Sequence, residues 1–221
     1  MNKLILTLLI SIFCLNVFGI FFKDNLDLNL IFKPESVIDS TSCVNLNEED
    51  TLTCLSKVIA SGNPTGNDFF LLGQMYLFGI GTVVDMAKAI QLLERGSIEF
   101  HNDDAMVLLG DLALNEDLLT AKYWYARATK ISNGEGQLKL ANIYRYGDEK
   151  DQDPESAFKL YKEASNQGIL RAQYELALMY AMGIGVAADL TRSLFMLEAL
   201  CDKKHNDSCV LHEKIKVLQQ S

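Results

Sequence analysis

Four side chains near the C-terminus have the types and spacing for metal chemistry. Cys201, His205, Cys209 and His212 fall within a few helical turns, and two thiolates with two imidazoles make a tetrahedral zinc set. The same two cysteines can instead close a disulfide, with both histidines facing solvent and Asn206-Asp207-Ser208 forming a helix-capping turn. A second candidate is the acidic loop Asp148-Glu149-Lys150-Asp151-Gln152-Asp153, whose carboxylates could gather around calcium. It lacks the sixth-position glycine and the distal bidentate glutamate of an EF-hand loop, and reads as a solvated turn that ends in a helix N-cap. For catalysis, no nucleophile, base and orienter stand at a useful spacing. His101 beside Asp103 and Asp104 reads as the surface of a connecting loop. The sequence therefore assigns no catalytic residue, no cofactor and no metal, and the chain reads as a non-enzyme.

The elements that would carry any function must be built by a chain of 221 residues, 49% hydrophobic, with a formal net charge of −9. Such an acidic chain repels phosphate backbones, and it has no basic stripe to overcome that, so nucleic acid is excluded as a partner. The same charge argues against docking on anionic headgroups.

At the N-terminus, Lys3 is followed by an apolar run from Leu4 to Phe18, with small residues Val17 and Gly19 at its end. This is the pattern of a signal peptide, residues 1–19, cleaved after Gly19, which places the chain in the periplasm or outside the cell. The competing reading is an uncleaved anchor over 4–22, facing the periplasm from the inner membrane. Cys14, preceded by Phe13, does not fit a lipid-modification site. If Cys14 leaves with the signal, four cysteines remain in an exported chain: Cys43, Cys54, Cys201 and Cys209. An even count in that compartment points to disulfides, with three connectivities open.

Between the cysteine pairs the chain repeats itself. A leucine followed by a small residue recurs as Leu72-Gly73, Leu109-Gly110, Leu140-Ala141 and Leu176-Ala177. Three residues on comes Tyr76, Ala113, Tyr144 or Tyr180, then Gly79, Gly147 or Gly183. An aspartate follows (Asp85, Asp117, Asp153, Asp189), then Ala89, Ala121, Ala157 or Ser193, then a bulky pair: Leu92-Leu93, Trp124-Tyr125, Leu160-Tyr161, Met196-Leu197. The small residue allows close approach of a neighbouring backbone, and the aromatic lies on the same face. The glycines end a first helix where φ must turn positive. The aspartates cap a second helix, most plainly in Asp153-Pro154, with proline at the first helical position. Repeat two is short: seven residues separate Gly110 from Asp117, against twelve in the other repeats. A tight link and a local bend of the superhelix are expected there.

These residues resemble the Sel-one-like repeat family, relatives of tetratricopeptide repeats. The resemblance rests on Leu72-Gly73, Tyr76, Gly79-x-Gly81, Asp85 and Lys88-Ala89, and on the run from Ala121 to Ala128, across four units in register. It implies an all-α fold, an α/α solenoid of about four helix-turn-helix repeats over 67–203. Capping helices are expected at 47–62 and 207–219, with a linker over 20–46. The family has a secreted, cysteine-rich branch whose inter-repeat bridge resembles Cys201–Cys209. Such a solenoid holds the other two cysteines at its opposite end, so the expected pairing is Cys43–Cys54 with Cys201–Cys209. That branch has been linked to β-lactam binding and slow hydrolysis, an activity for which this chain carries no matching residues.

In solenoids of this class the first helix of each repeat lines the concave wall. Counted from the small residue, positions −2, +1 and +5 share the face turned away from the core. They are Leu71, Gln74 and Phe78; Leu108, Asp111 and Asn115; Lys139, Asn142 and Tyr146; Glu175, Leu178 and Met182. Several are apolar where a solvated face would be polar, and methionine suits an adaptable surface. Two readings stay open: a groove for a protein partner, or packing between neighbouring repeats. The expected function is an exported scaffold that holds an envelope protein. The alternatives are a secreted enzyme or effector of β-lactam-binding type, or an immunity or inhibitor protein.

Overall fold

A computed structural model provides the fold; it describes Cys43 and residues 46–220. The expected signal and anchor segments, and most of the expected linker, lie outside the described residues. Ten α-helices follow one another among those described. Helix α1 (Glu48–Ala60) precedes four pairs: α2 (Gly66–Phe78) with α3 (Met86–Glu99), α4 (Asp103–Ala113) with α5 (Leu118–Lys130), α6 (Gly134–Tyr146) with α7 (Pro154–Asn166), and α8 (Leu170–Met182) with α9 (Leu190–Asp202). Helix α10 (Asn206–Gln220) ends the array. Each helix packs on the one before and the one after it, the arrangement of a solenoid.

The aspartates cap the second helices as their positions require. Asp85, Asp117, Asp153 and Asp189 accept the backbone N–H of Lys88, Thr120, Ser156 and Arg192 at 3.0, 3.4, 3.0 and 2.9 Å. Their own N–H groups tie each second helix back to the first. Asp85, Asp153 and Asp189 donate to the carbonyls of Tyr76, Tyr144 and Tyr180 at 2.9, 2.9 and 2.8 Å. Cations then cover those tyrosine rings. Lys88 and Arg192, three residues after their aspartates, lie over Tyr76 and Tyr180 at 4.0 and 4.7 Å. In repeat three that position is Ser156, and Lys122 of repeat two comes over Tyr144 instead, at 5.5 Å.

Gly79 and Gly183 end α2 and α8 with φ of 70° and 66°, the left-handed turn expected of them. Gly147 departs from that expectation: its φ is −67° with ψ −179°. A side chain there would instead collide with the Ile143 carbonyl, at 2.5 Å from a Cβ. Close backbone approach, not handedness, calls for glycine at that end. The turns between repeats carry a left-handed residue each: Gly62, His101, Ser132, Gly168 and Lys204, with φ between 56° and 87°. Three of the five are not glycine, so composition did not mark them.

The small residue of each first helix has a more specific role than close backbone approach. At Gly110 an added Cβ would strike the Tyr125 ring, 2.6 Å from Cδ1, and at Gly73 it would meet Leu93 at 2.9 Å. The small residue is the socket for the second bulky residue of its own repeat. Leu93, Tyr125, Tyr161 and Leu197 are all fully buried there. Each such side chain contributes roughly 1.5–3 kcal/mol through burial alone.

Cys43 is buried and bonded to Cys54 on α1, and Cys201 on α9 is bonded to Cys209 on α10, with Cα separations of 5.7 and 4.8 Å. Among the described residues no helix is long and apolar enough to cross a membrane.

Candidate partner-binding wall

The first helices α2, α4, α6 and α8 place the twelve expected positions in three different environments. The +5 row is open at Phe78, Tyr146 and Met182, 61%, 56% and 52% exposed, with Asn115 also exposed. Phe78, Tyr146 and Met182 are the last residues of their helices, beyond the core stripe, and Asn115 lies just past the end of α4. Leu71, at −2 in repeat one, is 38% exposed. By contrast, Leu108 at the same position of repeat two is half-buried against the core on both of its sides, so it packs between repeats. Leu178 is half-buried as well.

The polar positions form a ladder along the wall. Asp111 on α4 pairs with Lys139 on α6 at 2.9 Å. Tyr146 on α6 donates its hydroxyl to Glu175 on α8 at 2.5 Å. From the second helices, Tyr125 donates to Asp111 at 2.6 Å and Tyr161 to Asn142 at 2.7 Å. The +1 residue of repeats two and three is therefore an acceptor for a buried tyrosine hydroxyl, a role that its sequence position alone did not reveal. Burial and the bond to Asp111 together push the Tyr125 hydroxyl well above the usual tyrosine range. Repeats one and four, with leucine as the second bulky residue, carry Gln74 and Leu178 at +1 and need no acceptor.

Glu175 does not face the wall openly. It is 7% exposed and reaches the surface only through Tyr146. Burial, and then the bond to Glu175, push the Tyr146 hydroxyl up to about 12. The Arg145 guanidinium lies 4.9 Å from the Tyr146 ring centre. The ring is thus exposed yet held at two points.

Two clefts lie beside these residues. One, of about 250 Å³, brings Lys139, Asn142 and Tyr146 together with Leu114 of the short link and Leu118 at the start of α5. The other, of about 240 Å³, joins Leu71 and Gln74 to Leu46, Leu55 and Ile80. Repeat periodicity could not find Leu114, Leu118 or Leu46, because they lie in connections or at a helix start and not on the repeated face.

The other candidate chemistries fall elsewhere. His205 Nδ1 lies 2.8 Å from Ser208 Oγ, and its ring packs against Tyr174 at 5.3 Å. The disulfide reading put both histidines in solvent, but His212 is 7% exposed, because α10 packs that face on α9. Among the described residues no group of His, Cys, Asp and Glu is spaced to hold a metal. The acidic loop folds as a single 3-10 turn, Glu149–Asp151, tied to α5 by Lys122–Asp151 at 3.0 Å. His101 is an exposed left-handed turn residue. Ser156 and Lys159 have the Ser-x-x-Lys spacing of acyl-transferring enzymes. They sit on the first turns of α7, where Ser156 is engaged by the capping Asp153, through both its hydroxyl and its N–H, and Lys159 is exposed.

Comparison with known proteins follows this geometry. A family model described as Sel1 repeat matches residues 70–97, 104–132, 134–169 and 170–205, more than half of the chain. A solved Sel1 repeat protein from Oxalobacter formigenes is similar with a TM-score of 0.69 and 21% identity, over 82% of this chain and 80% of that one. A protective antigen of uropathogenic Escherichia coli with an SLR fold is similar with a TM-score of 0.71 and 22% identity, over 76% of this chain and 37% of its own. Both likenesses concern the fold. Among curated proteins, chitin synthase regulatory factor 3 of Schizosaccharomyces pombe is 38% identical over 69 residues, 30% of this chain. The match spans only 7% of that protein's length.

Proposed function

The chain belongs to the Sel1 repeat family, solenoids that in general serve as non-enzymatic protein–protein interaction scaffolds, and from that premise we propose that it is an exported holder of an envelope protein. The holding surface in this reading is the wall of first helices, with Phe78, Tyr146 and Met182 as anchors. The observation that carries the reading is Tyr146. An aromatic ring 56% exposed, pinned by a buried carboxylate and an arginine, loses little freedom on binding. Aromatic anchors of that kind carry most of the energy at interfaces. The two disulfides support an oxidising compartment for it.

The test is capture from an envelope extract with wild-type, Phe78→Ala and Met182→Ala protein as bait. A partner held by the wall is recovered by the wild type and lost from the variants, whose folding is checked by melting. Equal recovery by all three would remove the wall as the binding surface. Intact mass of protein recovered from the envelope tests export: loss of residues 1–19 is expected, and a mass that retains them favours the anchor.

A further inference from the structure

The loop between the two helices of a repeat also covers the start of the preceding second helix. In repeat one, Gly81 lies so close to the N-terminus of α1 that a Cβ would come 2.5 Å from the Glu48 carbonyl. In repeat four, Gly185 abuts the Pro154 carbonyl at the start of α7 in the same way. In repeat three the loop reaches α5 through Asp151 and Lys122. The link of repeat two, from Leu114 to Asp117, is too short to reach α3. Val83, Val84 and Met86 at the start of α3 are 81%, 62% and 48% exposed. Beside that start, a cleft of about 220 Å³ opens between α3 and α5.

The cleft has an apolar floor that includes Ile90, Leu112 and Trp124, and a rim of three carboxylates, Glu94, Glu116 and Asp117. No Lys, Arg or His lines it. Of the cations on α5, Arg127 is stacked on the rings of Tyr123 and Trp124, and Lys122 is paired with Asp151. The side-chain carboxylates of Glu94 and Glu116 are exposed and make no hydrogen bond or ion pair with the described residues. A volume below the roughly 300 Å³ of the smallest drug-sized pockets suits one or two side chains, not a cofactor.

We infer that the shortened second repeat creates a second docking site, distinct from the first-helix wall, for a polypeptide segment that presents an apolar side chain flanked by lysine or arginine. The apolar side chain enters between α3 and α5, and the flanking cations meet Glu94 and Glu116, charges that the fold leaves uncompensated.

Trp124 is the chain's only tryptophan, so its emission reports this cleft without a second indole to mask it. The probe is a short peptide alternating lysine and leucine, titrated into the full chain. A saturable change in Trp124 emission is expected, weakening about fivefold in Glu94→Gln/Glu116→Gln, as the loss of two rim pairs implies, and weakening with salt. A matched-charge control on distant exposed sites, Glu155→Gln/Glu198→Gln, should leave the affinity within about twofold, the scatter of a screened long-range field. Replacing the peptide's leucines with serine, or its lysines with glutamate, should abolish the response. Melting of both double variants checks that each is folded. An absent response, an equal response to the serine peptide, or equal weakening in the control variant would overturn the site.

Discussion

The backbone N–H of Asp117 donates to the carbonyl oxygen of Ala113 at 2.8 Å. Ala113 holds the position that Tyr76, Tyr144 and Tyr180 hold in the other repeats. There the same bond spans nine residues from carbonyl to aspartate, and here it spans four. The short link therefore anchors α5 to α4 by the same bond that the longer loops use. What changes is what lies above the anchor: with no loop to fill it, the space on both sides of the link stays open. Across this repeat α4 also contacts α6 directly.

The tight socket under the second bulky residue makes a first prediction. Gly110→Ala should destabilise by about 1–3 kcal/mol through overpacking, because the Tyr125 ring cannot retreat from a fully buried site. Tyr125→Leu reproduces the pair that Gly73 and Leu93 make in repeat one. The two changes should be less than additive in urea unfolding. Additive losses would show that Gly110 serves something other than Tyr125.

Core and wall aromatics should separate cleanly in a melting series. Tyr76 is 9% exposed and bonded to Lys88 at 2.7 Å, so Tyr76→Ala should cost about 3–5 kcal/mol. Phe78→Ala and Met182→Ala, at open positions, should change stability by less than about 0.5 kcal/mol. Tyr146→Ala does not belong with them despite its exposed ring. It strips the buried Glu175 of its donor, and should cost about 1–3 kcal/mol for the unsatisfied group. Binding experiments on Tyr146 therefore need that correction.

Ser132 sits exposed at φ 63° in the turn between α5 and α6. Glycine removes the left-handed penalty there at some cost in unfolded-state entropy, so Ser132→Gly should raise stability by up to about 1 kcal/mol. Gly168, the equivalent turn residue between α7 and α8 at φ 86°, should show the reverse on substitution by alanine. Denaturant midpoints would check both.

Acid should weaken the caps. The Thr120 hydroxyl, then its N–H, hold the Asp117 carboxyl below the usual aspartate range, and the Ser156 hydroxyl and N–H do the same for Asp153. Lowered folded values mean that the ionised forms stabilise the fold. That contribution is complete above about pH 4 and is lost as pH falls through the folded values. Melting of Asp117→Asn/Asp153→Asn against wild type should differ most near neutrality and converge at low pH. Asparagine keeps the cap acceptor, so the difference reads the charge.

Non-reducing peptide mapping should recover the pairs Cys43–Cys54 and Cys201–Cys209, and reduction should lower stability by about 2–4 kcal/mol per bridge. A bridge between the N- and C-terminal pairs, or stoichiometric zinc on reduced Cys201 and Cys209, would contradict the arrangement described here.

The sequence by itself determined the all-helical solenoid, its four-unit register and its capping aspartates. Those features are local: a cap, a turn and an apolar stripe each depend on residues within a few positions, so a repeated pattern exposes them. It also placed Phe78, Tyr146 and Met182 among the residues turned away from the core, because helical spacing fixes which residues leave the core stripe. It could not rank them against Leu108 or Glu175, which the same spacing puts on the same face. Burial there depends on how closely the next repeat approaches, and only packed neighbours set that distance. The pairing of Tyr125 with Asp111, the hold of Glu175 on Tyr146, and the cleft floored by Trp124 were likewise decided by tertiary structure. Each joins residues from different helices whose meeting depends on the packing of one helix against the next.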